Sequence, residues 1–167
     1  MLTLKTLLIL RHAKSSWKDS SLPDHDRPLN KRGLGDAPLV GRLIKDHDLL
    51  PELVLTSTAV RAQETARLVL EAAHFKGDIQ ARDDLYAFEP GAYLNVLTHL
   101  DDRFKRVMLV GHNPALEELL TGLTGEYQPF PTAALAQVEL SIEHWRDISF
   151  GMQARLKNIW RPKESKH

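Results

Sequence analysis

The chain has no cysteine. That absence excludes disulfides, thiolate metal sites and cysteine-based phosphatase chemistry, and it leaves the redox compartment open. An excess of one charge is missing too: over 167 residues, 22 Lys and Arg balance 22 Asp and Glu. No net field exists to gather nucleic acid or an anionic membrane, so any anion site has to be a local cluster. Long hydrophobic runs are also lacking. The apolar stretch within the first ten residues is only a few residues long and no cleavage-type tail follows it, so neither a signal peptide nor a membrane span is expected. There is no internal repeat and no low-complexity tract. These absences together suggest a soluble, cytoplasmic protein with no nucleic-acid or membrane partner.

The hydrophobic content of 43% and the length suit one domain with a real core, expected over residues 1–161 with a polar C-terminal tail at 162–167. Apolar runs at 7–10, 53–55 and 107–110 are short and nearly continuous, as in parallel strands covered on both faces. Helical patterns lie between them. Segment 31–48 carries apolar residues from Leu34 to Ile44, but Gly33, Gly35, Pro38 and Gly41 predict an irregular first half. Segment 58–74 is a cleaner helix, with Ser57 or Thr58 as its cap. A short strand at 78–82, a helix at 91–101, a strand at 106–111 and a helix at 114–123 follow. Segments 133–141 and 150–160 are β-rich and are expected to pair antiparallel around a turn near 143–149. The alternation predicts an α/β three-layer sandwich, with a mostly parallel central sheet flanked by helices and an antiparallel strand pair near the C-terminus.

Three strand exits carry polar residues suited to one chemistry. Residues 7–17, LLILRHAKSSW, run from an apolar strand straight into Arg11-His12 and a small, polar loop. The carboxyl ends of strands line the ligand crevice in open α/β sheets, so this exit sets a fixed cation beside an imidazole nucleophile. A second exit, Ser57-Thr58-Ala59-Val60-Arg61, places Arg61 in the first turn of a helix whose free N–H groups and positive dipole end favour an anion. Another, Val110-Gly111-His112-Asn113-Pro114, delivers a second histidine. Taken singly, each has an ordinary alternative: strand-end polarity, a solvated helix arginine, a hydrogen-bonded loop histidine. Taken jointly, they describe one crevice holding two arginines and two histidines.

A phosphoryl group near pH 7 carries roughly 1.5 to 2 negative charges and three acceptor oxygens, which arginine forks match in geometry and sign. Arg11 and Arg61 would neutralise it. A neutral His12 would attack phosphorus in line and carry the group as phosphohistidine, and a protonated His112 would stabilise the equatorial oxygens. Water then completes hydrolysis, and neither a metal nor a cofactor is called for. A metal is the rival use of paired histidines, but these come with arginines rather than a nearby carboxylate, and cations repel a metal. His25, His47, His74, His99, His144 and His167 show no ligand spacing and are read as surface or structural.

At this point the residues resemble the histidine phosphatase, or phosphoglycerate-mutase-like, superfamily over most of the chain. Leu8 to Ala13 resembles its signature strand and loop, Arg27 to Gly33 its Pro-Leu-Thr-x-x-Gly segment, Ser57 to Thr65 its Ser-x-x-x-Arg-Ala-x-x-Thr helix start, and Val110-Gly111-His112 its second-histidine strand. The resemblance implies that His12 is the phosphorylated nucleophile and that Arg11, Arg61 and His112 complete the phosphate pocket. Within the superfamily the chain is most similar to the short SixA group of phosphohistidine phosphatases, because it lacks added helical insertions and Arg27-Pro28-Leu29 follows the first motif quickly. Arg27 becomes a further phosphate contact, and Ser15 another through its hydroxyl. The chain departs from the pattern in two places. Ala13 replaces the usual glycine, which requires negative φ there, and Lys18 stands where mutases tend to have asparagine. Lys14 and Lys18 add rim charge that suits an acidic partner or is simply solvated.

Members that cleave phosphate esters protonate the leaving oxygen with a carboxylic acid. Asp84, after the third strand, holds the matching place, with Asp83, Glu64 and Glu89 as weaker candidates; the ordinary alternative is a solvated turn. Phosphohistidine needs less help, since imidazole leaves readily once protonated. The expected partner is accordingly a phosphorylated protein of the histidine-phosphotransfer kind, or else a small phosphorylated metabolite. A small-molecule phosphatase or mutase is the first alternative, and a module that binds phosphohistidine without turning it over is the second.

Overall fold

Leu7, Leu8, Ile9 and Leu10 are all fully buried, which four successive strand residues achieve only in a sheet covered on both faces. The structure, a computed structural model, describes residues 4–162. Along the chain lie β1 (Lys5–Arg11), α1 (Lys31–Asp46), β2 (Leu53–Ser57), α2 (Val60–Ala72), β3 (Ile79–Arg82), α3 (Pro90–Thr98), β4 (Arg106–Gly111), α4 (Ala115–Thr124), β5 (Leu135–Leu140) and β6 (Arg155–Trp160). The strands form one sheet in the order β3-β2-β4-β1-β5-β6. The first four are mutually parallel, while β5 runs antiparallel to both β1 and β6. Leu7 and Ile9 of β1 join Val107 and Leu109 of β4 in an apolar cluster with α3 and α4. Leu8 and Leu10 join Met108 and Val110 in a second cluster with α1 and α2. The period-two alternation of the strands thus feeds two cores, and the result is the expected α/β three-layer sandwich.

Local boundaries differ from expectation where tertiary contacts overrule propensity. Helix α1 is continuous from Lys31 to Asp46 although Pro38 lies inside it. Asn30 caps it by accepting from the Gly33 N–H at 2.9 Å, and the carbonyl that Pro38 leaves without a helical partner belongs to Leu34, an exposed residue. Gly33 and Gly41 serve packing. A Cβ on Gly33 would meet the Lys14 carbonyl oxygen, and one on Gly41 would meet the Val69 carbonyl of α2. Neither Ser57 nor Thr58 caps α2. Ala59 holds that position, the Ser57 hydroxyl accepts from the Ala59 N–H at 3.1 Å, and the Thr58 hydroxyl lies 2.9 Å from His25 Nε2.

Beyond β5 the chain makes a wider excursion than a simple turn, built around a short 3₁₀ segment at Trp145–Asp147. There the buried Trp145 donates to the Phe104 carbonyl at 2.8 Å. Of the polar tail expected at 162–167, Pro162 is buried and the remainder lies outside the described residues. No helix among the described residues is long and apolar enough to cross a membrane.

Two of the three glycines of α1, Gly35 and Gly41, predict opposite responses to one methyl group. Gly35→Ala has open space around its new Cβ and should stabilise the protein by roughly 0.5–1 kcal/mol. Gly41→Ala would collide with Val69 and Ala72 and should cost roughly 1–3 kcal/mol. Urea unfolding of both variants checks this; equal shifts would mean that the α1–α2 contact is not tight.

Candidate active site

The parallel register of β1 and β4 pairs Arg11 with Gly111, so each strand delivers a histidine one residue beyond the sheet. The His12 N–H donates to the Gly111 carbonyl at 3.1 Å, and the two imidazole centres stand 5.1 Å apart. His12 Nδ1 lies 2.7 Å from the Ala13 carbonyl oxygen. A carbonyl only accepts, so the proton is on Nδ1 and Nε2 keeps its lone pair. Thr65 holds the loop in place: its hydroxyl accepts from the Ala13 N–H at 2.9 Å and donates to the Arg61 carbonyl at 2.7 Å. Ala13 does not adopt positive φ, so its Cβ costs nothing there.

His112 is fixed from both ends. Its N–H donates to the Tyr93 hydroxyl at 3.1 Å, which in turn donates to the Leu85 carbonyl at 2.7 Å. Glycine is needed at 111 because a Cβ there would enter the Tyr93 ring. On the imidazole, Nε2 lies 2.8 Å from Ser57 Oγ and Nδ1 lies 3.4 Å from Arg61 Nη2. A guanidinium only donates, so Nδ1 accepts and the Nε2–H donates to Ser57. Burial is the main force that lowers both histidine pKa values to about 3. The Ala13 bond partly opposes it at His12, and the Arg61 charge adds to it at His112. His112 therefore stands neutral here, chiefly because it is buried and secondarily because Arg61 is beside it, whereas stabilising the equatorial oxygens as a cation would require it to gain a proton.

A cleft of about 360 Å³, near the small end for ligand sites, is lined by Arg11, His12, Ser15, Arg27, Arg61 and His112 together. Arg11 donates to the Phe130 carbonyl at 3.2 Å. Arg27 donates to Ser15 Oγ at 2.8 Å and lies 3.5 Å over the ring of Trp17. Asp24, which sequence reasoning missed, bridges the arginines. Its Oδ1 accepts from Arg27 Nε at 3.1 Å, and its Oδ2 accepts from Arg61 Nη2 at 2.9 Å and from the Tyr86 hydroxyl at 2.6 Å. Partial burial pushes this carboxyl up, but hydrogen bonds from Tyr86 and Arg61, with the Arg61 charge, outweigh it and hold its pKa at about 2.

Asp84 stands apart from the residues that the structure brings together. It does not line the cleft; it is half exposed and receives two bonds from Arg82, at 2.9 and 2.7 Å. Those bonds hold its pKa below the usual carboxylate value, so it is not poised to donate a proton near neutrality. Glu64 is occupied in accepting from the Leu29 N–H at 3.1 Å, and Asp83 and Glu89 are exposed outside the cleft. The segment after β3 instead brings aromatic rings: Tyr86 and Phe88 lie 5.5 and 5.3 Å from the His112 ring. Lys14 lines the cleft while Lys18 is exposed beyond it. His25, expected to be surface or structural, packs edge-on to Tyr86 at 4.8 Å. Among the described residues, no group of three or more His, Asp or Glu side chains is arranged to hold a metal ion.

The arrangement can bind a tetrahedral anion with arginine donors beside an imidazole whose Nε2 is free to attack. The sequence profile of the histidine phosphatase superfamily (branch 1) matches residues 7–99. The chain belongs to that superfamily. Against an uncharacterized protein of Mycobacterium tuberculosis it is 33% identical over 158 residues, covering 87% of this chain and 95% of that one. Among solved structures, an Agrobacterium tumefaciens protein provisionally assigned as the phosphohistidine phosphatase SixA is 30% identical with a TM-score of 0.82, covering 95% of this chain and 98% of that one. The protein histidine phosphatase SixA complexed with tungstate superposes with a TM-score of 0.80 at 23% identity, over 96% of this chain and 99% of that chain, a likeness of fold. Within the histidine phosphatase superfamily the chain is SixA-like.

The two buried histidines of this superfamily member give its stability a defined pH dependence. Both stay neutral in the folded state down to about pH 3, whereas in the unfolded chain they gain protons near pH 6.5. The unfolded state binds more protons between those values, so stability falls as pH falls through that window, by on the order of 1 kcal/mol per pH unit for each ring. Urea unfolding from pH 7 to pH 4 should show this slope and a shallower one in His12→Gln and in His112→Gln. Unchanged slopes in both variants would place the titrating groups elsewhere.

Proposed function

We propose that this phosphatase removes the phosphoryl group from phosphohistidine on a partner protein through a phosphoryl intermediate on His12 Nε2. The observation that carries the proposal is the orientation of His12: its Nδ1–H is committed to the Ala13 carbonyl at 2.7 Å, which leaves Nε2 as the nucleophile in a cleft lined by three arginines. Arg11 and Arg61 neutralise the phosphoryl oxygens, with Arg27 and Ser15 as further contacts. The Nε2 lone pair forms a bond to phosphorus as the bond to the substrate nitrogen breaks, and that electron pair stays on the departing imidazole. Water then attacks phosphorus, the pair returns to Nε2, and phosphate leaves with one proton released to solvent. His112, brought beside the bound dianion, is placed to stabilise its equatorial oxygens.

Two features favour phosphohistidine over an ester. The family's acid position is filled by Asp84, which is locked on Arg82 outside the cleft, and an imidazole leaves without a carboxylic acid where an alkoxide does not. The cleft is also edged by exposed aromatic residues, Trp17 and Phe88, which suits a side chain presented on a protein surface. Similarity to SixA-type structures points the same way.

Phosphate release from a phosphohistidine-bearing phosphotransfer domain, set beside a panel of phosphoglycerates and sugar phosphates, tests the proposal. The protein substrate should be preferred, chelators should have no effect, and His12→Ala should lose activity by on the order of a thousandfold or more. Asp84→Asn should stay within about twofold of wild type. Retained activity in His12→Ala would overturn the mechanism. Preference for a small ester, or binding of the phosphodomain without phosphate release, would overturn the substrate assignment.

A further inference from the structure

We infer that Asp24 is a specificity-determining residue whose carboxylate accepts a hydrogen bond from the protonated nitrogen of a departing imidazole and turns away leaving groups that carry or develop negative charge. The inference deepens the phosphohistidine reading and rests on it. Its basis is where the carboxylate sits. The Arg61 and Arg27 side chains are buried, at 3% and 8% exposure, whereas the Asp24 side chain is 45% exposed on their solvent side. It lines the same cleft as His12 and is the most exposed of the three, so a leaving group that departs toward solvent does so beside it. Its geometry is fixed by Arg61, Arg27 and Tyr86, at 2.9, 3.1 and 2.6 Å, which leaves it little freedom to swing clear.

The chemistry differs by substrate class. In a phosphoimidazole the nitrogen remote from phosphorus carries the proton, and an adjacent carboxylate favours that charged form. When the phosphorus–nitrogen bond breaks and its electron pair remains on the ring, the product is a neutral imidazole still donating its N–H to Asp24. In a phosphate ester the departing oxygen gains negative charge beside the same carboxylate. That carboxylate has no proton to give near neutral pH, because its pKa is about 2. A substrate bearing its own carboxylate, such as a phosphoglycerate, adds a second repulsion. The rim also suits a planar ring: Trp17 is 71% exposed and Phe88 45% exposed, and both line the cleft.

The test compares kcat/KM of the full-length wild type, Asp24→Asn and Asp24→Glu at one pH on three probes: phosphohistidine, p-nitrophenyl phosphate and 3-phosphoglycerate. In Asp24→Asn the ratio of phosphohistidine to 3-phosphoglycerate activity should fall about tenfold or more, with p-nitrophenyl phosphate between them, and Asp24→Glu should recover part of that ratio. A residue that merely holds Arg61 would lower all three probes by a common factor; that result, or no change, overturns the role of Asp24 and leaves the proposed function standing. A wild type that hydrolyses 3-phosphoglycerate but not phosphohistidine overturns the proposed function and the inference with it.

Discussion

Arg11 faces Gly111 at the end of the β1–β4 ladder, and the next backbone bond, from the His12 N–H to the Gly111 carbonyl, closes the two strand exits against each other. Because strand side chains alternate, the pairing that sends Leu7 and Ile9 into one core and Leu8 and Leu10 into the other also fixes the side of the sheet on which His12 emerges. A slip of one residue would exchange both cores and turn the imidazole away, so the same apolar burial that stabilises the sheet enforces the site. Tyr93 then sets His112 through the backbone, and Thr65 sets the His12 loop through helix α2. Each catalytic candidate is thereby held by a bond to an element that the core has already placed.

The electrostatics follow from putting three arginines around two histidines in a protein without net charge. Burial and neighbouring cations keep both rings neutral, which leaves Nε2 of His12 nucleophilic. The same crowding of cations requires a counter-charge, and Asp24 provides it by bonding two of the three guanidinium groups. A phosphoryl dianion would bring further negative charge to the arginines and to His112, so substrate binding changes the charge state that the site favours.

Much of this was legible in the sequence. Four apolar residues leading into Arg11-His12, a small residue before His112, and Arg61 in the first turn of a helix are local patterns with direct physical meanings, and the structure places these residues around one cleft. What escaped the sequence depended on contacts between distant segments or on pairs that periodicity does not register. Asp84 occupies the motif position expected of an acid, yet the Arg82 side chain two residues earlier captures it. Asp24 opens a single 3₁₀ turn, Asp24–Asp26, in a polar stretch with other aspartates, and its one sequence signal was its place just before Arg27-Pro28-Leu29. The first half of α1 was expected to be irregular from its glycines and proline. Gly33 and Gly41 instead permit close backbone approach to Lys14 and Val69, a function visible only once the partner segments are known.

Whether His12 carries the phosphoryl group is read most directly by a rapid-quench experiment with a phosphorus-labelled phosphohistidine domain as substrate. Within the first turnover, an acid-labile label should appear on the protein and map by peptide mass spectrometry to His12. Phosphate release with no covalent label, or a label on any other residue, would contradict a phosphoryl intermediate on His12.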